Sequence, residues 1–364
     1  MRYYLIAGEK SGDLHAANLM SELKKLDKEA HFRGWGGDKM CMQGLELVHH
    51  FRETSFMGFA EVFRNFFKIK KFLTECKRDI LRYQPDVVIL IDYAGFNLRI
   101  ARFAKKAGFR VFYYISPKIW AWNTSRAYRI KKDVDKMFVI MHFEESFYEQ
   151  FGIKVDYVGN PLFDAIRQYR PNPNFIQENG LDNRPIIALL PGSRVQEVQR
   201  MLPVMVEVAQ DFPDYQFVVA GVREISADLY AYKNVKVIFD QTYDLLAHAR
   251  AAIVTSGTAT LETALFEVPQ VVCYKMNFLT LIVGWLVLKT KYISLVNLIA
   301  NKEVVKELLQ WHANRKNICA ELKAILTEKR HFILEDYKLI KAQIAIKESA
   351  SERAAKLMWK YLHE

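Results

Sequence analysis

Three stretches of this chain hold residue types that could do chemistry together. In "LLPGSR", Leu189–Arg194, an apolar run ends at Pro191 and is followed by Gly192, Ser193 and Arg194. A turn of small residues opening a helix leaves backbone N–H groups and the positive end of the helix dipole facing an anion. The Arg194 guanidinium at that point adds a bidentate partner, which suits a diphosphate. In "TSGTATLE", Thr255–Glu262, Ser256, Gly257 and Thr258 repeat the donor-rich turn. Glu262 follows about one helical turn later, where a carboxylate can accept the hydroxyls of a ribose. Asp92 ends the apolar run "VVILI". A partly desolvated carboxylate at a strand end is raised toward neutrality and can take a proton.

A fourth stretch, "IAGEKSGDLH" from Ile6, joins a strand-like run to a helix-like one. Gly8 and Gly12 are spaced G-x-x-x-G, which fits neither the three-glycine dinucleotide fingerprint nor a Walker loop. What remains is a tight turn able to meet an anion or a sugar.

These residues need elements to hold them. Continuous apolar runs recur: Tyr3–Ala7, "DVVILID", "RVFYYIS", "KMFVIM" and "VDYVGN" in the first half. "IIALLPGSR", "QFVVAG", "VKVIFD", "AAIVTSGT" and "QVVCY" follow in the second. Runs of this kind alternating with helical patterns imply parallel sheets covered on both faces, which bind ligands beyond the C-terminal strand ends. The polar stretch Arg167–Pro185, with its prolines and asparagines, reads as a linker. The expectation is α/β: two Rossmann-like parallel-sheet domains facing a cleft, 1–166 and 186–345, joined by 167–185. A final helix, 346–364, opens with a capping box, Ser349 and Glu352, and its apolar face could pack back on the first domain.

Composition narrows the classes. The chain has 364 residues, 51% hydrophobic and 26% charged, ample for two globular cores. Net charge of +11 suits phosphorylated substrates or an anionic membrane, but no nucleic-acid-binding motif accompanies it. Four scattered cysteines form no C-x-x-C pair, which argues for a reducing compartment and against zinc. The first apolar run breaks at Glu9 and Lys10, too soon for a signal peptide, and "FLTLIVGWLVL", Phe278–Leu288, is too short to span a bilayer.

Two further segments matter. Phe59, Val62, Phe63, Phe66, Ile69 and Leu73 recur at helical spacing, with Phe67 widening the face and Arg64, Lys68, Lys70 and Lys71 beside it. That pattern suits either a helix lying in a membrane interface or a core helix. Asp133-Val134-Asp135 is a D-x-D, but it stands between "RIKK" and "KMFVI" and reads as punctuation, not as a metal site.

The ordered blocks "AGEKSGDLHAANL", "GWGGDKM", "FMGFAEV", "PDVVILIDYAGFN", "YYISPKIWAW", "LPGSR", "SGTATLE" and "SLVNLIANKEVVKELLQ" resemble the lipid-A-disaccharide synthase family, glycosyltransferases of the GT-B fold. The resemblance runs from Ala7 to Gln310. It implies inverting transfer of 2,3-diacylglucosamine from UDP to 2,3-diacylglucosamine 1-phosphate, forming a β-1′,6 link in lipid A biosynthesis. It also implies residence in the cytoplasm on the inner face of the inner membrane, with an anionic membrane surface as partner and no metal or other cofactor. Asn297 joins the nucleotide-side residues. Ser11, Gly12 and Asn97 fall on the acceptor side, and Asp13 and His15 stand beside Asp92 as candidate bases. Phe59, Phe63, Phe66 and Phe67 become candidate membrane or acyl contacts. The chain departs from many relatives in lacking a second acid after Asp92 and in reading "SLVN" where they have "SLPN". A UDP-sugar epimerase of the same architecture is the alternative, and a homodimer is compatible with the sequence.

Overall fold

A computed structural model describes residues 1–54, 66–275 and 290–364. The chain divides into two compact units, Met1–Pro161 with Ile346–Glu364, and Leu162–Ala345.

In unit 1 the strands β1 (Arg2–Ala7), β2 (His31–Gly36), β3 (Leu45–His50), β4 (Val87–Ile91), β5 (Arg110–Tyr114), β6 (Lys136–Val139) and β7 (Asp156–Tyr157) form one sheet. Its order is β3-β2-β1-β4-β5-β6-β7, and every pairing is parallel. The alternation of a pleated strand sorts β1 onto two layers. Tyr3, Leu5 and Ala7 meet Leu19, Met20 and Leu23 of the helix Lys10–Leu26, together with Ala354, Met358 and Leu362 of the terminal helix Ala350–His363. Tyr4 and Ile6 join Phe72, Ile80, Phe96 and Ile100 on the other face. The terminal helix is capped by the Ser349 hydroxyl, which accepts the Glu352 N–H at 3.2 Å.

In unit 2, β8 (Ile186–Leu190), β9 (Gln216–Gly221), β10 (Lys236–Phe239), β11 (Ala249–Thr255), β12 (Gln270–Tyr274) and β13 (Glu307–Leu309) form a second parallel sheet, ordered β10-β9-β8-β11-β12-β13. The stretch read as a linker differs from that expectation. The division falls at Pro161/Leu162, and residues 167–185 belong to unit 2. Phe175 is buried there and stacks on His248 at 5.0 Å, while the Asn172 N–H donates to Asp244 at 2.7 Å. One aromatic anchor outweighs a polar composition.

Among the described residues no helix is long and apolar enough to cross a membrane. Phe59 and Phe63 lie outside them, as does Phe278–Leu288.

Candidate active site

Each sheet reverses its strand order once, between β1 and β4 in unit 1 and between β8 and β11 in unit 2. Such switch points open a crevice beyond the C-terminal strand ends. Register places the candidate residues there. Ala7 pairs with Ile91 and Ile91 with Tyr114, so Gly8, Asp92 and Ile115 leave their strands side by side. Val254 pairs with Leu190, which brings the turns after Pro191 and Thr255 together.

Asp92 sits where five fully buried residues, Val87–Ile91, reach the mouth of unit 1. Its φ is 45° and that of Tyr93 is 48°. Consecutive left-handed non-glycine residues cost roughly 1–3 kcal/mol each and gather at functional sites, although Asp tolerates the conformation better than most. The distortion is held from several sides. The Asp92 N–H donates to the Tyr114 carbonyl at 3.1 Å, and its own carbonyl accepts from Asn97 Nδ2 at 2.9 Å and from the Tyr113 hydroxyl. Burial and the nearby negative charge of Glu9 push the Asp92 carboxyl up to about 6, against the pull of Lys118.

The left-handed turn also explains Gly8. A Cβ on Gly8 would meet the Tyr93 ring at 2.3 Å. Gly8 is therefore a seat for an aromatic ring beside Asp92.

Other residues of the opening turn are already engaged. The Asp13 carboxylate accepts N–H groups from Gly37 at 2.8 Å and from Lys39 and Met40 at 3.1 Å, and so pins the start of the helix Asp38–Met42. A base needs a lone pair facing substrate, and these three bonds direct both oxygens into the protein. Gly12 is buried against Ala7 and Asn97 is fully buried, its amide tying the carbonyls of Ile6, Ile91 and Asp92. These two hold the mouth together and do not face it. Ser11 is exposed. His15 has a buried Nδ1 without a hydrogen-bond partner among the described residues, and burial lowers its imidazole to about 4. It stays neutral at pH 7 and is a weak base.

In unit 2, Gly192 has φ 113°, and a Cβ there would come within 2.4 Å of Glu197 Oε2. That oxygen accepts the Ser193 N–H at 3.1 Å, while the exposed Arg194 guanidinium lies 3.7 Å from Oε1. The protein's own carboxylate thus occupies the helix end that suits an anion. Tyr274 stands close enough to feel Glu197, Arg194 and Arg200. On the neighbouring turn Gly257 and Thr258 are exposed, whereas the Ser256 hydroxyl donates to the Ile293 carbonyl at 3.0 Å. Glu262 is half-buried, with Oε1 accepting the Tyr243 hydroxyl at 3.0 Å. Burial raises its carboxyl, and that hydrogen bond opposes the rise.

Asn297 does not face the mouth. It is fully buried, accepts the N–H groups of Val304 and Val305 at 2.8 and 3.0 Å, and donates to the Val305 carbonyl and Glu307. Glu307 also receives Ile293 N–H, Ser294 N–H and the Ser294 hydroxyl. This cluster braces the 293–297 segment to which Ser256 is bonded.

The second acid of the D-x-D is likewise engaged. Asp135 accepts the Val111 N–H at 2.9 Å and pairs with Lys105, and Asp133 is buried. No group of three or more His, Cys, Asp or Glu able to hold a metal occurs among the described residues. Phe67 is 83% exposed, whereas Phe72 packs inward on Trp35, so the aromatic run divides between surface and core.

A family model described as lipid-A-disaccharide synthetase matches residues 3–360. The chain belongs to the lipid-A-disaccharide synthase family. It is 39% identical to the lipid-A-disaccharide synthase of Syntrophus aciditrophicus, covering 96% of this chain and 95% of that one. It is 38% identical to that of Geobacter metallireducens, over 91% and 89% of the two chains. Membership makes it a UDP-sugar-dependent glycosyltransferase that moves 2,3-diacylglucosamine onto 2,3-diacylglucosamine 1-phosphate. Solved structures share the fold at lower identity. The glycotransferase of kitacinnamycin has a TM-score of 0.69 at 14% identity and 99% coverage of both chains. UDP-GlcNAc 2-epimerase from Neisseria meningitidis, bound to UDP-GlcNAc, has a TM-score of 0.64 at 13% identity and 100% coverage of both. Those likenesses carry the architecture alone; the family match carries the synthase activity over the epimerase.

Sequence reading missed Glu197, Tyr243 and Lys118. Glu197 had a signal, an acid in the first turn after "GSR". Tyr243 had none, because it comes from another element.

Proposed function

We propose that Asp92 is the general base of an inverting, metal-independent sugar transfer. A β bond made from an α-linked UDP-sugar needs one displacement, with a base to take the acceptor's 6-hydroxyl proton and cations or dipoles to hold the departing diphosphate. The observation that carries the assignment is the Asp92 carboxyl, raised to about 6 at a distorted strand end on the switch point of unit 1. Asp13 and His15 are weaker choices, the first for its three backbone bonds and the second for its lowered imidazole.

On the donor side, Arg194 and the Ser193 and Ser256 turns take the diphosphate, and Glu262 takes the ribose. The engagement of Asp135 with Val111 and Lys105 and the burial of Asp133 support protein cations in place of a metal. For the acylated substrates, the helix Phe66–Tyr83 offers exposed Phe67 beside exposed Lys68, Lys70 and Lys71, a pairing suited to the anionic inner face of the inner membrane.

The test is to combine the purified protein with UDP-diacylglucosamine and the monosaccharide 1-phosphate in chelator and to measure disaccharide and UDP. Formation of both without added metal, lost in Asp92→Asn with UDP affinity intact, is expected. Restoration by magnesium only, or normal turnover in Asp92→Asn, overturns the respective half of the reading.

A further inference from the structure

Glu144 is a buried carboxylate, 2% exposed, that no role above uses. It lies in the helix Phe143–Glu149, just beyond β6. Oε2 accepts the Met141 N–H at 3.1 Å and Oε1 accepts the Trp120 indole N–H at 3.3 Å. The Ser116 hydroxyl shares a 2.6 Å hydrogen bond with the Tyr148 hydroxyl, one turn along the same helix, and donates to the Pro117 carbonyl at 3.2 Å. The Trp120 ring stands edge-on to Phe143, centroids 5.0 Å apart. One acidic side chain therefore fastens the segment after β5 to the segment after β6.

Ser116 and Trp120 are the two pinned points of the first segment, and Lys118 lies between them. Lys118 is exposed, yet its charge acts on Asp92. The groups that act on Asp92 are Glu9, Lys118 and the Tyr93 backbone N–H, with the Tyr113 side chain also close by. Lys118 is the cation among them. Around Glu144 itself stand Ser116, Trp120 and Tyr148, none of them charged at neutral pH. Burial pushes the Glu144 carboxyl up to about 7 against its hydrogen bonds. In either protonation state its two oxygens can accept from both N–H groups, whereas a glutamine would turn an N–H donor toward one of them.

We propose that Glu144 is a positioning residue for the transfer reaction: by pinning Trp120, four residues beyond the Tyr148-bound Ser116, it fixes where the Lys118 ammonium stands relative to Asp92. The proposal rests on Asp92 being the base. Losing the pin lets Lys118 drift, and Asp92 then holds its proton to higher pH.

The experiment is the pH profile of kcat/KM for disaccharide formation from UDP-diacylglucosamine and the monosaccharide 1-phosphate. Wild type is compared with Glu144→Gln, Trp120→Phe, Lys118→Met and the Glu144→Gln/Lys118→Met pair. Each single variant should move the acid limb upward by about 0.5–1 pH unit, the scale of a nearby opposite charge weakened by exposure. Rate should return at high pH, UDP affinity should stay unchanged, and the pair should move the limb no further than Lys118→Met alone. Trp120→Phe keeps the carboxylate and carries the test if Glu144→Gln fails to fold. An acid limb at the wild-type position in the strap variants, with only a uniform rate loss or a lower Tm, overturns the proposal, as does a pair whose shifts add. Asp92→Asn is run alongside. If it is fully active, the base assignment falls and the proposal falls with it. If it is inactive while the strap variants keep the wild-type limb, the strap alone is wrong.

Discussion

The Glu197 carboxylate accepts the Ser193 N–H across 3.1 Å, at the helix end that the sequence offers to a diphosphate. A bound diphosphate has to compete with it. Arg194→Ala should weaken UDP binding about 10- to 100-fold, the cost of roughly 1.5–3 kcal/mol for a charge-assisted contact. Glu197→Gln should do the opposite and tighten it about two- to fivefold, since an anion at a helix N-terminus gains about 0.3–1 kcal/mol. Titration calorimetry with UDP decides. Weaker binding in Glu197→Gln would mean that the acid orients Arg194 instead of competing with the ligand.

The Tyr243 hydroxyl bonds to Glu262 Oε1 at 3.0 Å, and among the described residues no hydrogen bond is made to Oε2, which the proposed reading gives to the ribose. Wild type should prefer UDP over 2′-deoxy-UDP by about tenfold, the worth of a charge-assisted bond at the low end of its range. Glu262→Gln should level that preference. Tyr243→Phe should reduce it by a smaller factor, because the carboxylate remains but loses its orientation. Equal discrimination in wild type and Glu262→Gln would move the ribose elsewhere.

In the proposed role, Asp92 trades stability for function. Its folded carboxyl lies at about 6 against an ordinary 3.8, so the folded state binds the proton more tightly than the unfolded chain does. The stability from that proton is complete below pH 3.8 and is lost as pH rises through about 6. At pH 7 the buried charge costs about 1–3 kcal/mol by the usual conversion. Asp92→Asn should therefore raise Tm at pH 7, with the gain vanishing near pH 4, while turnover falls by about 10²- to 10⁴-fold. Wild-type turnover should itself fall as pH drops through about 6. A less stable Asp92→Asn protein at pH 7 would contradict this.

His15 carries the opposite sign. Its imidazole lies at about 4 in the folded protein against an ordinary 6.5, so the unfolded chain takes the proton first. Its contribution is present above pH 6.5 and is lost as pH falls toward 4. His15→Gln should flatten the loss of stability in that window, measured by urea unfolding at pH 7 and 4.5, and should cut turnover less than tenfold. A larger loss at unchanged UDP affinity would return His15 to the chemistry.

The strand ends were legible because continuous apolar runs such as "VVILI" and "IIALL" have few other uses, and their last polar neighbours had to emerge at the sheet mouths. What each polar atom does there was not legible. Asp13, Asn97 and Asn297 have the right types in the right blocks, yet backbone N–H or C=O groups from distant segments engage them. Residue type advertises a donor or acceptor; only the tertiary fold says whether it is taken. Gly8 shows the same gap, since its reason is a ring 85 positions later in the chain.

The terminal helix Ala350–His363 shares a core with β1, so unit 2, Leu162–Ala345, is an insertion within unit 1. During synthesis unit 2 has all of its sequence before unit 1 does. The cluster that β1 and the first helix share must wait without Ala354, Met358 and Leu362 until Ile346–Glu364 leaves the ribosome. Nascent chains stalled between those two points should therefore be open to chaperones and proteases in unit 1, although most of its sequence was made before unit 2.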